Sequence, residues 1–362
     1  MPRAARAGGR GGRDHSAPRA GACAPQVSFE RFASEWLAEI SPTLRPNTVP
    51  DYRWQLDHHL LAFFAAHRLP EITVAEIDRY RAHKVAQGRL APSSINKTLT
   101  RLGQILDVAH ERELIERNPM SVNRRRRKLR APAPRRTHLD RADQIEALME
   151  AADQLDRDAR RDHPTARRAI LATMTFAGLR IGELLALAWG DVDLAGGRLR
   201  VGASKTDAGL REVELLPVLG AQLAALRASA SGDLDGLVFA TTKGRRQNPS
   251  NVRNRTLALS VARADALLAA RDLPPLPAPL TPHSLRRTYA SILFAIGRPA
   301  PEVMEQLGHA DPSLTLRVYA RAMRQSPQER ARLRALVYGD VRATALLAVD
   351  ASDLAPTPMP TR

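Results

Sequence analysis

The sequence has little cysteine, lysine or aromatic side chain, and each shortage narrows what the chain is. A single cysteine, Cys23, among 362 residues rules out a disulfide framework and a cysteine-based zinc site. No run of 18 apolar residues occurs, so no membrane-spanning helix is expected. Residues 1–26 are mostly arginine, glycine and alanine with no apolar stretch, unlike a secretory signal. A soluble cytoplasmic protein is the expectation. Aromatics are 4%, but 44% hydrophobic and 26% charged residues are ordinary globular values. The length is enough for two domains.

The five lysines stand against 50 arginines, and the formal net charge is +17. Such a balance points to a polyanionic partner. Arginine is abundant here alongside alanine and 26 prolines, as GC-rich codon usage would give, so the distribution is more informative than the total. Residues 1–26 carry five arginines and one aspartate, and residues 27–122 balance 12 basic with 12 acidic side chains. Residues 123–136 hold eight basic and no acidic side chains, including Arg124, Arg125, Arg126, Arg127 and Lys128. Like charges and alternating prolines predict an extended linker there. It is either simply solvated or set along a phosphate backbone.

Periodicity divides the rest. Phe29, Phe32, Trp36, Leu37 and Ile40 share one helical face, with Ser28 as N-cap. A second helix is expected from Thr48, a third from a Thr73–Glu76 capping box, and a fourth from about Ser94 to Ala109. Residues 27–122 thus read as a small all-helical domain. Beyond the linker, helices are expected over 140–152 and 166–177 and after Gly182. Strands over 197–202 and 211–216 would flank a polar turn, with a third strand over Leu237–Ala240. The remainder reads as helix broken at Pro274–Pro282, Gly297, Gly308 and Gly339. The fold class is mainly α with a small antiparallel sheet. The basic tail 1–26 and the Pro-rich end read as disordered, with 137–335 as the second domain and 336–362 as a tail.

No phosphate-binding loop, no GxGxxG before a helix, no HExxH and no paired-carboxylate cluster occurs. Four short contexts do stand out. Thr175–Leu187 (TFAGLRIGELLAL) places Arg180 at a helix entrance, and Lys205 lies in the polar turn. His283 and Arg286 are three residues apart on one helix face, and Leu307-Gly308-His309 is followed ten residues on by Tyr319. Each alone has a plain reading: a surface cap, a turn lysine, a core histidine, a helix C-terminus, a core aromatic.

In this order and with these flanks, the contexts resemble the tyrosine recombinase (phage integrase) family over roughly residues 27–335. The resemblance implies a helical core-binding domain and a catalytic α+β domain that clamp duplex DNA. By position, Arg180, Lys205, His283, Arg286, His309 and Tyr319 would be the active-site set. Arg180 and Arg286 would grip phosphate oxygens, as guanidinium forks do. His309 would donate to a nonbridging oxygen and Lys205 would protonate the leaving 5′-oxygen. His283 would accept a proton near the tyrosine or position the phosphate, and Tyr319 would form a 3′-phosphotyrosine. Among five tyrosines, only Tyr319 stands in the family's relation to His309.

No cofactor and no metal are implied. The implied partners are double-stranded DNA bearing a specific site, a homo-tetramer on paired sites and a directionality factor, with no membrane. The family's arm-site domain is not expected in the short polar stretch before Val27. The 328–349 region, with Leu333, Leu336 and Val337, occupies the place of a protomer-docking segment. Two other readings stay open: a type IB topoisomerase-like relaxation activity, and an inactive DNA-binding accessory protein of the same fold.

Overall fold

The computed structural model describes residues 27–121, 128–132, 136–159, 166–202, 211–229, 236–308 and 318–339. They fall into two compact units dividing between Pro134 and Arg135.

The first unit is helical. Helix α1 spans Phe29–Ile40, and the Ser28 side chain caps it by accepting from the Arg31 amide. Helix α2 (Thr48–Gln55) runs on through a π-helical turn, Leu56–Leu61, and a last α-turn, Ala62–Phe64. Helices α3 (Val74–Gln87) and α4 (Pro92–Glu111) complete the set. Helix α4 starts two residues before the expected Ser94, because Pro92 fits the first turn of a helix, where its missing N–H is not needed.

The scarce aromatics concentrate in this core. Phe29, Phe64 and Tyr80 are fully buried. Phe64 contacts both of the others, with ring centroids 5.2–5.7 Å apart. The Tyr80 hydroxyl donates to Thr98 at 2.9 Å, which satisfies the one polar atom such a core must carry. The Thr73–Glu76 capping box is only half made. Thr73 Oγ1 accepts from the Glu76 amide at 3.4 Å. The Glu76 carboxylate instead pairs with Arg79 and meets His67. A charged partner one turn on outcompetes a neutral amide.

The second unit centres on α6 (Arg167–Phe176), whose residues Ala169 to Phe176 are all buried. Helix α5 (Ala142–Arg157), helix α8 (Pro217–Ser229) and helix α10 (Pro282–Ala295) pack around it. Helix α5 also lies against α9 (Ala258–Ala269), which continues a π-helical segment, Val252–Leu257. One-turn α7 (Ile181–Leu184), α11 (Ala300–Leu307) and α12 (Pro327–Tyr338) finish the helical set. Gly297, Gly308 and Gly339 all have positive φ, so the expected breaks fall where glycine is conformationally required.

Three strands form one antiparallel sheet in the order β1 (Val192–Asp193), β2 (Arg198–Val201), β3 (Arg211–Glu214). Leu199 pairs with Val213 and Val201 with Arg211. The expected strand over Leu237–Ala240 does not form. Leu237 and Ala240 make isolated bridges to Ala188 and Arg246. Val238 and Phe239 are both buried, so this short apolar run is a plug rather than an alternating strand.

Gly178 shows how the core constrains the loop before α7. Its φ is +60°, and a Cβ there would stand 2.3 Å from Cδ1 of the fully buried Tyr289. Gly178→Ala should therefore cost about 2–4 kcal/mol through backbone strain and overpacking. Denaturant melts of the two proteins measure this; equal midpoints and slopes would contradict it.

Candidate active site

The site is built around a buried carboxylate. Glu183 ends the first turn of α7, and its side chain is 3% exposed. Its Oε2 accepts the Arg180 amide at 2.9 Å, which fixes the turn into the helix. Its two oxygens also take Arg180 Nη1 at 2.6 Å and Arg211 Nη2 at 3.0 Å, with Arg286 Nη1 at 3.9 Å. One carboxylate thus faces three guanidinium groups from three elements. Among the described residues, no other carboxylate pairs with Arg180 or Arg286.

Backbone carbonyls carry the remaining donors. Arg286, 2% exposed, donates to Gly178 O at 2.6 Å and to Leu307 O. Among the described residues, its buried Nε has no hydrogen-bond partner. Arg180 Nη2 reaches Gly308 O at 3.1 Å, and Arg211 Nε reaches Gln306 O at 2.8 Å. Gly308 is left-handed (φ +58°) and ends α11, which turns these carbonyls toward the arginines. The Leu307-Gly308 pair is therefore a receptor for two guanidiniums.

Helix α10 presents His283 and Arg286. The Thr281 side chain accepts from the Ser284 amide at 3.2 Å and Pro282 fills the first position, so His283 enters in the first turn. Desolvation, then the charges of Arg287, Arg286, Arg180 and Arg136, hold the His283 ring below its ordinary pKa. Burial and this positive field both favour the neutral ring. Burial, then the charges of Arg180 and Arg211, lower Arg286 to about 9, so it keeps its charge at neutral pH at some cost. A cleft of about 580 Å³ opens on Arg180, His283 and Arg286, with Arg253 and Asn254 of the π-helical segment on its wall.

Tyr319 stands apart from this cleft's lining. It is 40% exposed, and its ring meets Phe294 of α10 edge-on at 5.1 Å. The structure thus brings together Arg180, His283 and Arg286, and places Tyr319 against the other end of the helix that carries the last two. Lys205, His309 and Arg124 to Arg127 lie outside the described residues. Lys128 is described and exposed, beside Leu129, whose backbone exchanges two hydrogen bonds of 2.8–2.9 Å with the Asn96 side chain.

Sequence reasoning missed Arg211, whose side chain is 3% exposed. A signal existed: Arg211 shares a strand face with the buried Val213 and Leu215, an odd place for an arginine without an acidic partner. Glu183 lies in the same short motif as Arg180, three residues on.

Burial pushes the Glu183 carboxyl up, but hydrogen bonds from Arg211 and Arg180 outweigh it and leave the pKa below the ordinary value. A depressed carboxylate contributes stability that is complete above its unfolded pKa and is lost as pH falls through the folded one. Glu183→Gln should cost about 3–5 kcal/mol at neutral pH, because it strands buried charges. It should also flatten the acid limb of the stability profile. Urea melts across pH test this; a variant whose acid limb matches the parent would contradict it.

Two family models match the chain: "Phage integrase family" over residues 140–326 and "Phage integrase, N-terminal SAM-like domain" over 28–85. Tyrosine recombinase XerC of Pelobacter propionicus is 30% identical over 296 residues, 76% of this chain and 85% of that protein. A putative prophage phiRv2 integrase of Mycobacterium tuberculosis is 28% identical over 310 residues, 81% of this chain and 74% of that protein. Among solved structures, a lambda integrase dimer bound to a COC′ core site aligns with a TM-score of 0.64 at 17% identity. That alignment covers 83% of this chain and 79% of the other. The Tn1549 transposon integrase (residues 82–397) in complex with circular intermediate DNA gives 0.64 at 15% identity, covering 83% of this chain and all of that one. The fold is shared with both. With the matched models and the XerC relative, this chain belongs to the phage integrase family of tyrosine recombinases.

Proposed function

We propose that this chain is a site-specific DNA recombinase that cuts and rejoins duplex DNA through a covalent tyrosine intermediate. One observation carries the reading: Arg180 and Arg286 converge on one cleft with His283, and a single buried carboxylate is their only described acidic partner. Such a site carries excess positive charge, and a phosphodiester has the charge and the paired oxygens that two guanidinium forks take up.

In the proposed reaction the Tyr319 oxygen attacks the scissile phosphorus. A bond forms from that oxygen to phosphorus, and the bond to the 5′-oxygen breaks. The tyrosine proton passes toward neutral His283 or water, and Lys205 supplies a proton to the leaving 5′-oxygen. Arg180, Arg286 and His309 stabilise the extra negative charge of the phosphorane. The 3′-phosphotyrosine keeps the bond energy, so a 5′-hydroxyl from another strand can reverse the attack and join new ends. No metal is needed for these steps, since the guanidiniums already supply the positive charge.

The rest of the chain has a role in the same reading. Residues 27–122 form the core-binding domain and 137–335 the catalytic domain. The cations of 123–136, Arg124 to Lys128 foremost, run along the phosphate backbone. Recombination proceeds on two duplexes held by four copies, and the lambda integrase tetramer bound to a Holliday junction is a structural neighbour of this fold.

A plasmid bearing two direct copies of the chain's own attachment site, mapped from repeats flanking its gene, tests the reading. Deletion of the intervening DNA is expected. Relaxation without deletion would replace recombination with a topoisomerase activity, and binding without strand cutting would leave an accessory protein.

A further inference from the structure

The segment that enters the second unit, residues 136–141, has no regular structure, yet it is bonded on two sides. Toward α10, Thr137 Oγ1 meets Ser284 Oγ at 3.2 Å, and Arg287 Nη1 donates to Thr137 O at 2.6 Å. The Leu139 amide donates to Thr288 Oγ1 at 2.9 Å. These contacts grip the helix that carries His283 and Arg286. Toward the Tyr319 turn, Asp140 Oδ2 accepts Arg321 Nε at 2.9 Å and Nη2 at 2.8 Å. Gln325 Nε2 donates to Asp140 O at 2.7 Å, and Glu329 Oε1 accepts the Ala142 amide at 2.6 Å. Between the two sides His138 is 4% exposed, so the strap is seated in the protein rather than laid over it.

Among the described residues, the contacts between the Tyr319 turn and α10 are apolar. Val318 and Ala322 are buried and set its depth, and the Tyr319 ring rests edge-on against Phe294. Apolar contacts of this kind tolerate sliding and rotation; charge-assisted hydrogen bonds do not. Arg321 lies two residues past Tyr319, so the bond pair at Asp140 governs how that turn is rotated.

We propose that Asp140 is a positioning residue for Tyr319. Through Arg321 and Gln325 it fixes the tyrosine-bearing turn to the same strap that holds the His283–Arg286 helix. The inference rests on the reading of Tyr319 as nucleophile. It adds that the nucleophile is set by the first residues of the catalytic unit. Those residues follow the basic linker directly in the chain. Arg321 is 54% and Asp140 20% exposed, and a pair so placed contributes little to global stability. Its loss should act on geometry at the site.

The test uses the full chain and a nicked suicide DNA that releases its short 5′ fragment, so covalent complex accumulates. Asp140→Asn and Arg321→Gln should each slow single-turnover adduct formation at saturating DNA by about 10- to 100-fold, the scale for a misplaced reacting group. DNA affinity and melting temperature should stay at parental values. The double variant should be no slower than either single, and the swapped pair Asp140→Arg with Arg321→Asp should regain most of the rate. Parental rates in the single variants would overturn the proposal. So would a matching fall in DNA affinity, which would make Arg321 a phosphate ligand. A large fall in melting temperature without rescue by the swap would make the pair merely structural, and also overturn it. Tyr319→Phe is the separate control: adduct in that variant brings down the nucleophile reading itself, whereas its absence beside unaffected Asp140 variants brings down only the strap.

Discussion

The second unit is organised by one buried carboxylate among three arginines. Removing a charge from water costs several kcal/mol, and such a group persists only when opposite charge and hydrogen bonds surround it. Glu183 meets that condition by drawing in Arg180 beside it, Arg211 from β3 and Arg286 from α10. Helix α7, the sheet and α10 thus share a common ion. The arginines in turn use the carbonyls of Gly178, Gln306, Leu307 and Gly308, which ties in the loop before α7 and the end of α11. Gly178 and Gly308 both need left-handed backbone for this, so two glycines of the sequence motifs serve the same ion cluster.

The same arrangement makes the site hungry for an anion. Burial, then the charges of Arg180 and Arg211, lower Arg286 to about 9, and Glu183 offsets only part of this. A phosphate between Arg180 and Arg286 would relieve that strain, and more negative charge in a transition state would relieve it further. In the proposed chemistry the fold thus carries an electrostatic debt until DNA arrives, which is a form of preorganisation. Burial and the same positive field favour the neutral form of His283.

Local signals were readable from the sequence and long-range partners were not. Ser28, the apolar stripe from Phe29 to Ile40, and the breaks at Gly297, Gly308 and Gly339 depend on neighbours a few residues away, and each stands where expected. Arg180, His283 and Arg286 were found because each sits in a short motif. Arg211 was missed because its partner Glu183 lies 28 residues away and arginine is common throughout this chain. Asp140 was missed for the same reason, its partner Arg321 being 181 residues distant. Leu237–Ala240 failed as a strand because four apolar residues cannot by themselves distinguish a strand from a core plug. The Thr73–Glu76 box was half right because Arg79 competes for the glutamate.

The central claim is that the arginine cluster prepares a phosphodiester for one particular tyrosine. Mapping the attached nucleotide tests it most directly. The covalent complex is trapped on suicide DNA, digested with nuclease and protease, and sequenced by mass spectrometry. The account predicts a nucleotide remnant on Tyr319, joined through a 3′-phosphate. A remnant on Tyr52, Tyr80, Tyr289 or Tyr338, on a serine, or a 5′-phosphate linkage would contradict it.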